Sequence, residues 1–420
     1  SFARLAGVIV EDPADPAYSS ERHPRLNIPV VAEYLTQQMN IPLVFGGRIP
    51  SLELIYRIRQ KEIQEIHPKT PSEFQMASRV EILDLRKLPM QRERRMLPPQ
   101  LISKMERVLS QNGRTVLVVP RKGFFTLAAC SRCREVLACP QCGTPLSHSA
   151  ERRKLRCAHC AFALPDNPIC PKCHSGSIQF RGVGAERIVQ WLTRDVAQSN
   201  ILRLDRDVAP RGTDIGKLLA PFQNGESNVL VCTPFVLRSI EARSITLMAF
   251  LAADYYLRQV DYHAEDIFYR LLVESSDLIM SENGEMVLQS YMPDHPFYLS
   301  LGEETGEPFR DRALADREKL GYPPYLHIYV LTFQGKAEKS VADCAKRVAD
   351  QTKKSDEKSR WVVLGPIPAH LAKKRGMYRY QILIKGSDVE PMAERLKEVL
   401  RKNLSRNIQC AVDLDPPRMQ

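Results

Sequence analysis

Residues 130–173 read CSRCREVLACPQCGTPLSHSAERRKLRCAHCAFALPDNPICPKC. Four Cys-x-x-Cys pairs lie here, at Cys130/Cys133, Cys139/Cys142, Cys157/Cys160 and Cys170/Cys173, which accounts for eight of the eleven cysteines. A Cys-x-x-Cys turn aims two sulfurs at one tetrahedral ion, and two such turns complete a four-cysteine zinc site. Eight thiolates therefore predict two Zn2+ ions. Fourfold repetition, with polar and basic residues between, argues against a disulfide framework and against a redox pair. The gap from Cys142 to Cys157 suits a hairpin between two turns, whereas the gap from Cys133 to Cys139 is tight. The spacing thus favours a nested arrangement. Cys139, Cys142, Cys157 and Cys160 form the inner site, and Cys130, Cys133, Cys170 and Cys173 the outer one. His148, His159 and His174 lie nearby and read as loop residues, because the thiolates already fill both shells.

Outward from this stretch the pattern is α/β. Ahead of it, TVLVV at residues 115–119 reads as a buried strand. After it, Phe180-Arg181-Gly182-Val183-Gly184-Ala185-Glu186-Arg187 opens a helix through Leu192. The cysteine module therefore reads as an insertion. The same unit continues with strands at 201–204, 229–231, 247–252 and 285–290 and helices at 215–222 and 264–272. Nearer the start, strands at 6–10 and 42–45 flank a helix at 29–39. A strand at 80–85 sits between polar connections at 65–79 and 87–98, and a helix covers 97–109. This strand–helix alternation indicates a parallel sheet. A helix at 309–320 stops at Gly321-Tyr322-Pro323-Pro324. Beyond it lies a small α+β domain, with strands at 326–332, 361–365, 378–384 and 410–414 and helices at 338–353 and 389–402.

At 420 residues the chain is long enough for several domains. Hydrophobic residues make up 44% and charged residues 26%, which is ordinary for a globular protein, and no apolar run is long enough to span a membrane. Ser1-Phe2-Ala3-Arg4 lacks a signal peptide's layout, and clustered thiols without an export signal suit a reducing cytoplasm. The chain starts without Met in what reads as the middle of a domain, as a fragment would. A net charge of +11 and a pI of about 9.1 favour a polyanionic partner, nucleic acid ahead of a membrane surface.

Several stretches together resemble the bacterial replication-restart PriA (primosomal protein N-prime) family. They are the four Cys pairs with their unequal gaps, Gly182-Val183-Gly184-Ala185-Glu186-Arg187, Arg203-Leu204-Asp205-Arg206-Asp207, Leu320-Gly321-Tyr322-Pro323-Pro324, and Leu364-Gly365-Pro366-Ile367-Pro368-Ala369. The resemblance implies RecA-like helicase lobes, nested zinc ions and superfamily 2, 3′→5′ DNA helicase activity. It also implies binding to abandoned forks, contact with single-strand binding protein and reloading of the replicative helicase with other primosome proteins. In that frame residues 1–110 are the remnant of lobe one plus a connector. Residues 111–129 with 174–300 are lobe two, 130–173 the two-zinc module, and 301–420 a C-terminal domain for DNA or partners.

The departures from the family pattern bear on activity. The phosphate-binding Gly-Lys-Ser/Thr loop lies nowhere in this chain, and without its backbone nest and Lys a triphosphate has no cradle. The Asp-Glu-x-His box falls on Glu11-Asp12-Pro13-Ala14. Gly-Ser-Ala-Thr-Pro-Ser becomes Gly46-Gly47-Arg48-Ile49-Pro50-Ser51, and the Gly-Thr-Gln motif becomes Cys232-Thr233-Pro234. Glu274-Ser275-Ser276-Asp277-Leu278-Ile279-Met280-Ser281 replaces Gln-x-x-Gly-Arg-x-Gly-Arg, so Leu278 and Ser281 stand where two arginines would stabilise the transferring phosphate. Losing an arginine finger slows such reactions by about 10³–10⁵. These changes put ATP and Mg2+ binding in question, and no catalytic or nucleotide-binding residue is assigned. The expected function is fork or single-strand DNA binding in primosome assembly without ATP turnover. The alternative is an ATP-dependent helicase whose missing segment lies outside these residues.

Three basic features are candidates for DNA. One is Arg121-Lys122-Gly123 beside Phe124 and Phe125. The second is the basic edge of the zinc module, Arg132, Arg134, Arg152, Arg153, Lys154 and Arg156. The third is Lys373-Lys374-Arg375-Gly376-Met377-Tyr378-Arg379-Tyr380, read as a loop run mixing cations with aromatics ahead of a strand. Asp205, Asp207, Asp413 and Asp415 read as turn and cap residues without chemistry.

Overall fold

A computed structural model describes the chain outside residues 1–4, 20–25, 67–79, 88–95, 121–126, 134, 136, 138, 141–145, 150–153, 158–161, 166–167, 182–184, 242–243, 260, 280–282, 303–305, 356–359 and 420. The first unit comprises β1 (Val8–Glu11), α1 (Ile28–Met39) and β2 (Leu43–Gly46). The two strands run parallel, with Val8 opposite Leu43. Helix α2 (Leu52–Arg59) follows, and the Ser51 hydroxyl caps it by accepting from the Leu54 N–H. The sequence reading missed α2, although Ser51 followed by Leu52, Ile55 and Tyr56 carries the signal. Leu52 and Ile55 are buried in the core of the next unit.

That unit is a six-stranded, all-parallel sheet. Its members in chain order are β3 (Val80–Asp84), helix α3 (Pro99–Ser110) and β4 (Thr115–Val118). The chain then leaves the sheet for five short antiparallel strands: β5 (Leu127–Cys130), β6 (Leu146–Ser149), β7 (Lys154–Cys157), β8 (Ala163–Pro165) and β9 (Ile178–Arg181). It re-enters the larger unit through α4 (Ala185–Asp195), β10 (Ile201–Leu204), α5 (Ile215–Gln223) and β11 (Val229–Cys232). Next come β12 (Leu247–Phe250), α6 (Asp254–Leu257), α7 (Ala264–Ser276), β13 (Glu285–Ser290), α8 (Pro296–Leu299) and α9 (Glu307–Leu320). The strand order is β10-β11-β4-β12-β13-β3 in the large sheet and β8-β7-β6-β5-β9 in the inserted one. The edge strand β3 thus comes from ahead of residue 110, where the sequence reading placed the boundary of this unit.

Every residue of β4, β11 and β12 is buried, as helices on both faces require. Alternate side chains serve two cores. Val116, Val118, Leu230, Met248 and Phe250 pack with Phe268 and Leu272 of α7. Leu117, Val119, Val231 and Ala249 pack with Leu101 and Met105 of α3 and Ile188 and Leu192 of α4. Fully burying one such side chain is worth about 1.5–3 kcal/mol, so the twofold alternation fixes the register of the whole sheet.

The last unit is β14 (His327–Gly335), α10 (Glu338–Ser355), β15 (Val362–Lys374), β16 (Met377–Gly386), α11 (Val389–Asn403) and β17 (Gln409–Leu414), with strand order β15-β16-β14-β17. Leu331, Phe333, Ile382 and Ile384 meet Val341, Val348, Met392 and Leu396 of the two helices. Strand β15 runs well past the expected stop at residue 365. It is an edge strand, where Pro366 and Pro368 interrupt no ladder on its outer side, and its register shifts twice to accommodate the irregularity.

Three units meet at Arg317 on α9, which is 4% exposed. Its guanidinium donates to Glu53 of α2 at 2.5 Å and to the Pro323 carbonyl at 3.0 Å, and it lies 3.6 Å from Asp266 of α7. His263 approaches the same group at 3.1 Å. Burial by itself would raise the Glu53 pKa, but Arg317 and His263 hold it down to about 2. Nearby, Lys385 donates to the Leu320 carbonyl at 2.9 Å, and the Tyr262 and Tyr322 rings stack. Among the described residues no helix is long and apolar enough to cross a membrane.

Replacing Arg317 with Met should lower unfolding stability in urea by about 3 kcal/mol, because two carboxylates lose their buried counter-ion; a loss under about 1 kcal/mol would contradict the hub. A second expectation concerns His327, which shares a 2.5 Å contact with Asp415. That bond, opposed by burial, raises the imidazole pKa above its ordinary 6.5. A pKa raised by folding contributes stability below the unfolded value and loses it as pH rises through the folded one. The unfolding midpoint should therefore fall as pH climbs past the ordinary histidine range, and His327→Asn should flatten that limb of the pH profile.

Candidate functional site

The inserted module is small. Ala128, Leu137, Cys139, Leu146 and Leu155 form its buried centre, with Phe162, Leu164 and Ile178 packed against them. A core of this size stands in need of a covalent or metal staple. Strand β5 delivers Cys130 at its last residue, and Cys133 follows one turn later. Cys170 and Cys173 lie on the matching turn ahead of β9, which pairs with β5. The two turns are braced by backbone bonds. The Cys130 N–H donates to the Glu135 carbonyl, the Ser131 N–H to the Ser177 carbonyl and the Cys170 N–H to the Ser175 carbonyl. Across them Lys172 donates to Glu135 at 3.1 Å.

The sulfurs of Cys130, Cys133, Cys170 and Cys173 all lie within 4.8 Å of one another. Cys130 and Cys173 are 3.5 Å apart, and Cys133 and Cys170 3.6 Å. Four thiolates at the usual Zn–S distance of about 2.3 Å form a tetrahedron with edges of about 3.8 Å. The observed separations fit that figure and far exceed a disulfide's about 2.05 Å. The Cys133 N–H, against burial, brings the Cys130 thiol down to about 7 with help from the Arg132 N–H and the neighbouring thiols. Cys133 goes the other way, to about 12: the Glu135 N–H pulls it down, but burial and the other sulfurs outweigh it.

This quartet is the outer set of the nested arrangement. Of the inner set, Cys139 is buried in the module's centre, and Cys157 ends β7 opposite Leu146. Cys142 and Cys160 lie outside the described residues, as do His159, Arg121, Lys122, Arg134, Arg152 and Arg153. His174 is exposed, with its backbone in the left-handed region at φ 52°. Arg132 and Lys154 are exposed.

The third basic feature is a hairpin rather than a loop. Lys373 pairs with Tyr378 and Lys374 with Met377, leaving Arg375-Gly376 as a two-residue turn with φ of 51° and 79°. Both central residues have positive φ, as the hairpin turns that match strand twist require. Arg375 is exposed at the tip, and Lys373 lies 4.6 Å above the Tyr378 ring. Arg379 is buried, so it belongs to the sheet and not to the exposed run. Asp205 accepts from the Asp207 N–H two residues on, as a turn residue does, whereas Asp415 accepts from the Ile328 N–H 87 positions away and contacts His327, a long-range bond and not a local cap. Leu278 is in the large core, and Ser281 lies outside the described residues.

Sequence reasoning missed one buried carboxylate. Asp254, at the N-terminus of α6, accepts from the Ser290 hydroxyl at 2.6 Å, the Tyr291 N–H at 2.7 Å and the Tyr298 hydroxyl at 2.9 Å. Its donors lie far along the chain, and no local pattern announces them. For the metal centre, Cys170→Ser should lower the zinc released by a mercurial titration by one equivalent and raise amide exchange across 127–181; unchanged zinc content would exclude this quartet as a ligand set.

The profile of the primosomal protein N C-terminal domain matches residues 318–417. The chain is 25% identical over 427 residues to the replication restart protein PriA of Bacillus subtilis, covering all of this chain and 52% of that protein. It is 26% identical over 419 residues to the PriA of Haemophilus influenzae, covering 99% and 57%. With the Synechocystis PriA the identity is 27% over 427 residues, covering 98% and 51%. The chain thus spans about half the length of the curated relatives it matches. Among solved structures, S. cerevisiae Dbp5 bound to RNA and ADP BeF3 aligns over 75% of this chain and 63% of that chain, at 8% identity and a TM-score of 0.33, too low to establish a shared fold. Over its whole length this chain is similar to these PriA proteins, and its residues 318–417 match the primosomal protein N C-terminal domain.

Proposed function

We propose that this chain is a zinc-stabilised DNA-binding protein of replication restart that acts without turning over ATP. The observation that carries this reading is the quartet Cys130, Cys133, Cys170 and Cys173, set at tetrahedral spacing in a module inserted between β4 and α4. A second Zn2+ belongs to Cys139, Cys142, Cys157 and Cys160. The large sheet with its helices acts as helicase lobe two, residues 1–110 retain part of lobe one with a connector, and 301–420 serve DNA or partners. The ligands are forked or single-stranded DNA, with single-strand binding protein and other primosome proteins as partners in a reducing cytoplasm.

Lys373, Lys374 and Arg375 gather at one exposed hairpin end beside Tyr378. Cations next to an aromatic ring suit phosphate contact plus base stacking. Arg121, Lys122, Arg153 and Lys154 are the further DNA contacts in this reading. Two observations favour the absence of ATP turnover. Asp12, in the place of a family acid, is ion-paired with Arg270, and Leu278 is buried where the family motif has an arginine.

Replacing Lys373, Lys374 and Arg375 with Ala should weaken binding to forked DNA and flatten the slope of log affinity against log salt by about 2–3, given roughly 0.7–0.9 counterions released per phosphate contact. An unchanged slope would remove the hairpin from the interface. The zinc-replete parent protein should hydrolyse ATP no faster with forked DNA than without it; robust DNA-stimulated hydrolysis would overturn the no-turnover reading.

A further inference from the structure

The carboxyl end of the small sheet faces α7 and the turn that follows β11. From the small sheet come Asp12 and Asp15, just after β1, and Arg48 and Ile49, just after β2. From the large sheet come Arg238, in the turn Pro234–Ser239 after β11, and Arg270 and Asp277, on and just beyond α7. Three ion pairs cross between them. Asp12 pairs with Arg270, whose other nitrogen donates to the Ile49 carbonyl at 2.8 Å. Asp15 pairs with Arg238 at 2.9 Å. Arg48 pairs with Asp277 in the opposite sense. Glu274 lies 3.8 Å from Arg238 on the α7 side.

The arginines on this face are engaged by the chain's own carboxylates. We infer that these ion pairs form a clamp that holds the small sheet closed on the large unit. The inference deepens the no-turnover reading and rests on separate residues from the zinc and DNA sites. The alternation of sign matters: two contacts run acid to base and one base to acid, so only one docking of the two sheets satisfies all three. The Asp15 carboxyl is held below the usual range, first by the Ala17 N–H and then, against burial, by Arg238 and Arg270. The clamp is not the attachment itself. Helix α2 is anchored through Leu52 and Ile55 in the large core and through Glu53 on Arg317. Opening the clamp would free β1 and β2 while α2 stayed docked.

Hydrogen exchange on the full chain reads this out. In Arg48→Asp, exchange across 8–19 and 41–49 should rise about tenfold, while 52–59 keeps its protection. Raising salt toward 1 M should produce the same regional change in the unaltered protein, because exposed and half-exposed pairs are screened. The charge swap Arg48→Asp with Asp277→Arg should return exchange to the original level. Unchanged exchange in the single variant, or a swap that behaves like the single variant, would overturn the clamp. DNA-stimulated ATP hydrolysis alongside an intact clamp would instead overturn only the no-turnover reading.

Discussion

A single buried guanidinium joins most of this molecule. Arg317 neutralises Glu53 from the first unit and Asp266 from the large unit, and it bonds the turn that leads into the last one. A charge buried this far is tolerated only if its counter-ions and hydrogen bonds are all in place. Residues separated by some 264 positions, Glu53 and Arg317, must therefore arrive together. The stacked Tyr262 and Tyr322 and the Lys385 ammonium over Tyr322 extend the same junction into the C-terminal sheet.

The inserted module solves a different problem. Among the described residues its apolar centre is a handful of side chains, and a small core gains most from a staple. Backbone bonds brace the Cys130 and Cys170 turns, and the four sulfurs lie within 4.8 Å of one another. This spacing favours a metal as the staple over a disulfide, which would have to pull two of the sulfurs together and abandon the others.

Charge is distributed with similar economy. The hairpin tip leaves Arg375 in solvent, while Arg379 on the following strand is buried in the sheet. Where the small sheet meets α7, by contrast, Asp12 and Asp15 pair with Arg270 and Arg238 within the chain, a distinction that composition cannot make.

The cysteine spacing, the strand at TVLVV and the helix–strand rhythm were legible because they are local. Metal turns, buried parallel strands and amphipathic helices each write their constraint within a few residues. The α/β class, the insertion and the C-terminal α+β unit followed from that. The part of β15 beyond Gly365 escaped because its prolines mark a loop in most contexts, and only its position at a sheet edge makes them compatible with a ladder. Strand β3 read as a strand, but its place beside β13 depends on partners some two hundred residues away. The same holds for Asp254 with Tyr298, Asp15 with Arg238 and the Arg317 hub. These pairs depend on which surfaces the folded sheets bring together, a long-range choice made by burial and charge neutralisation that no stretch of the sequence expresses alone.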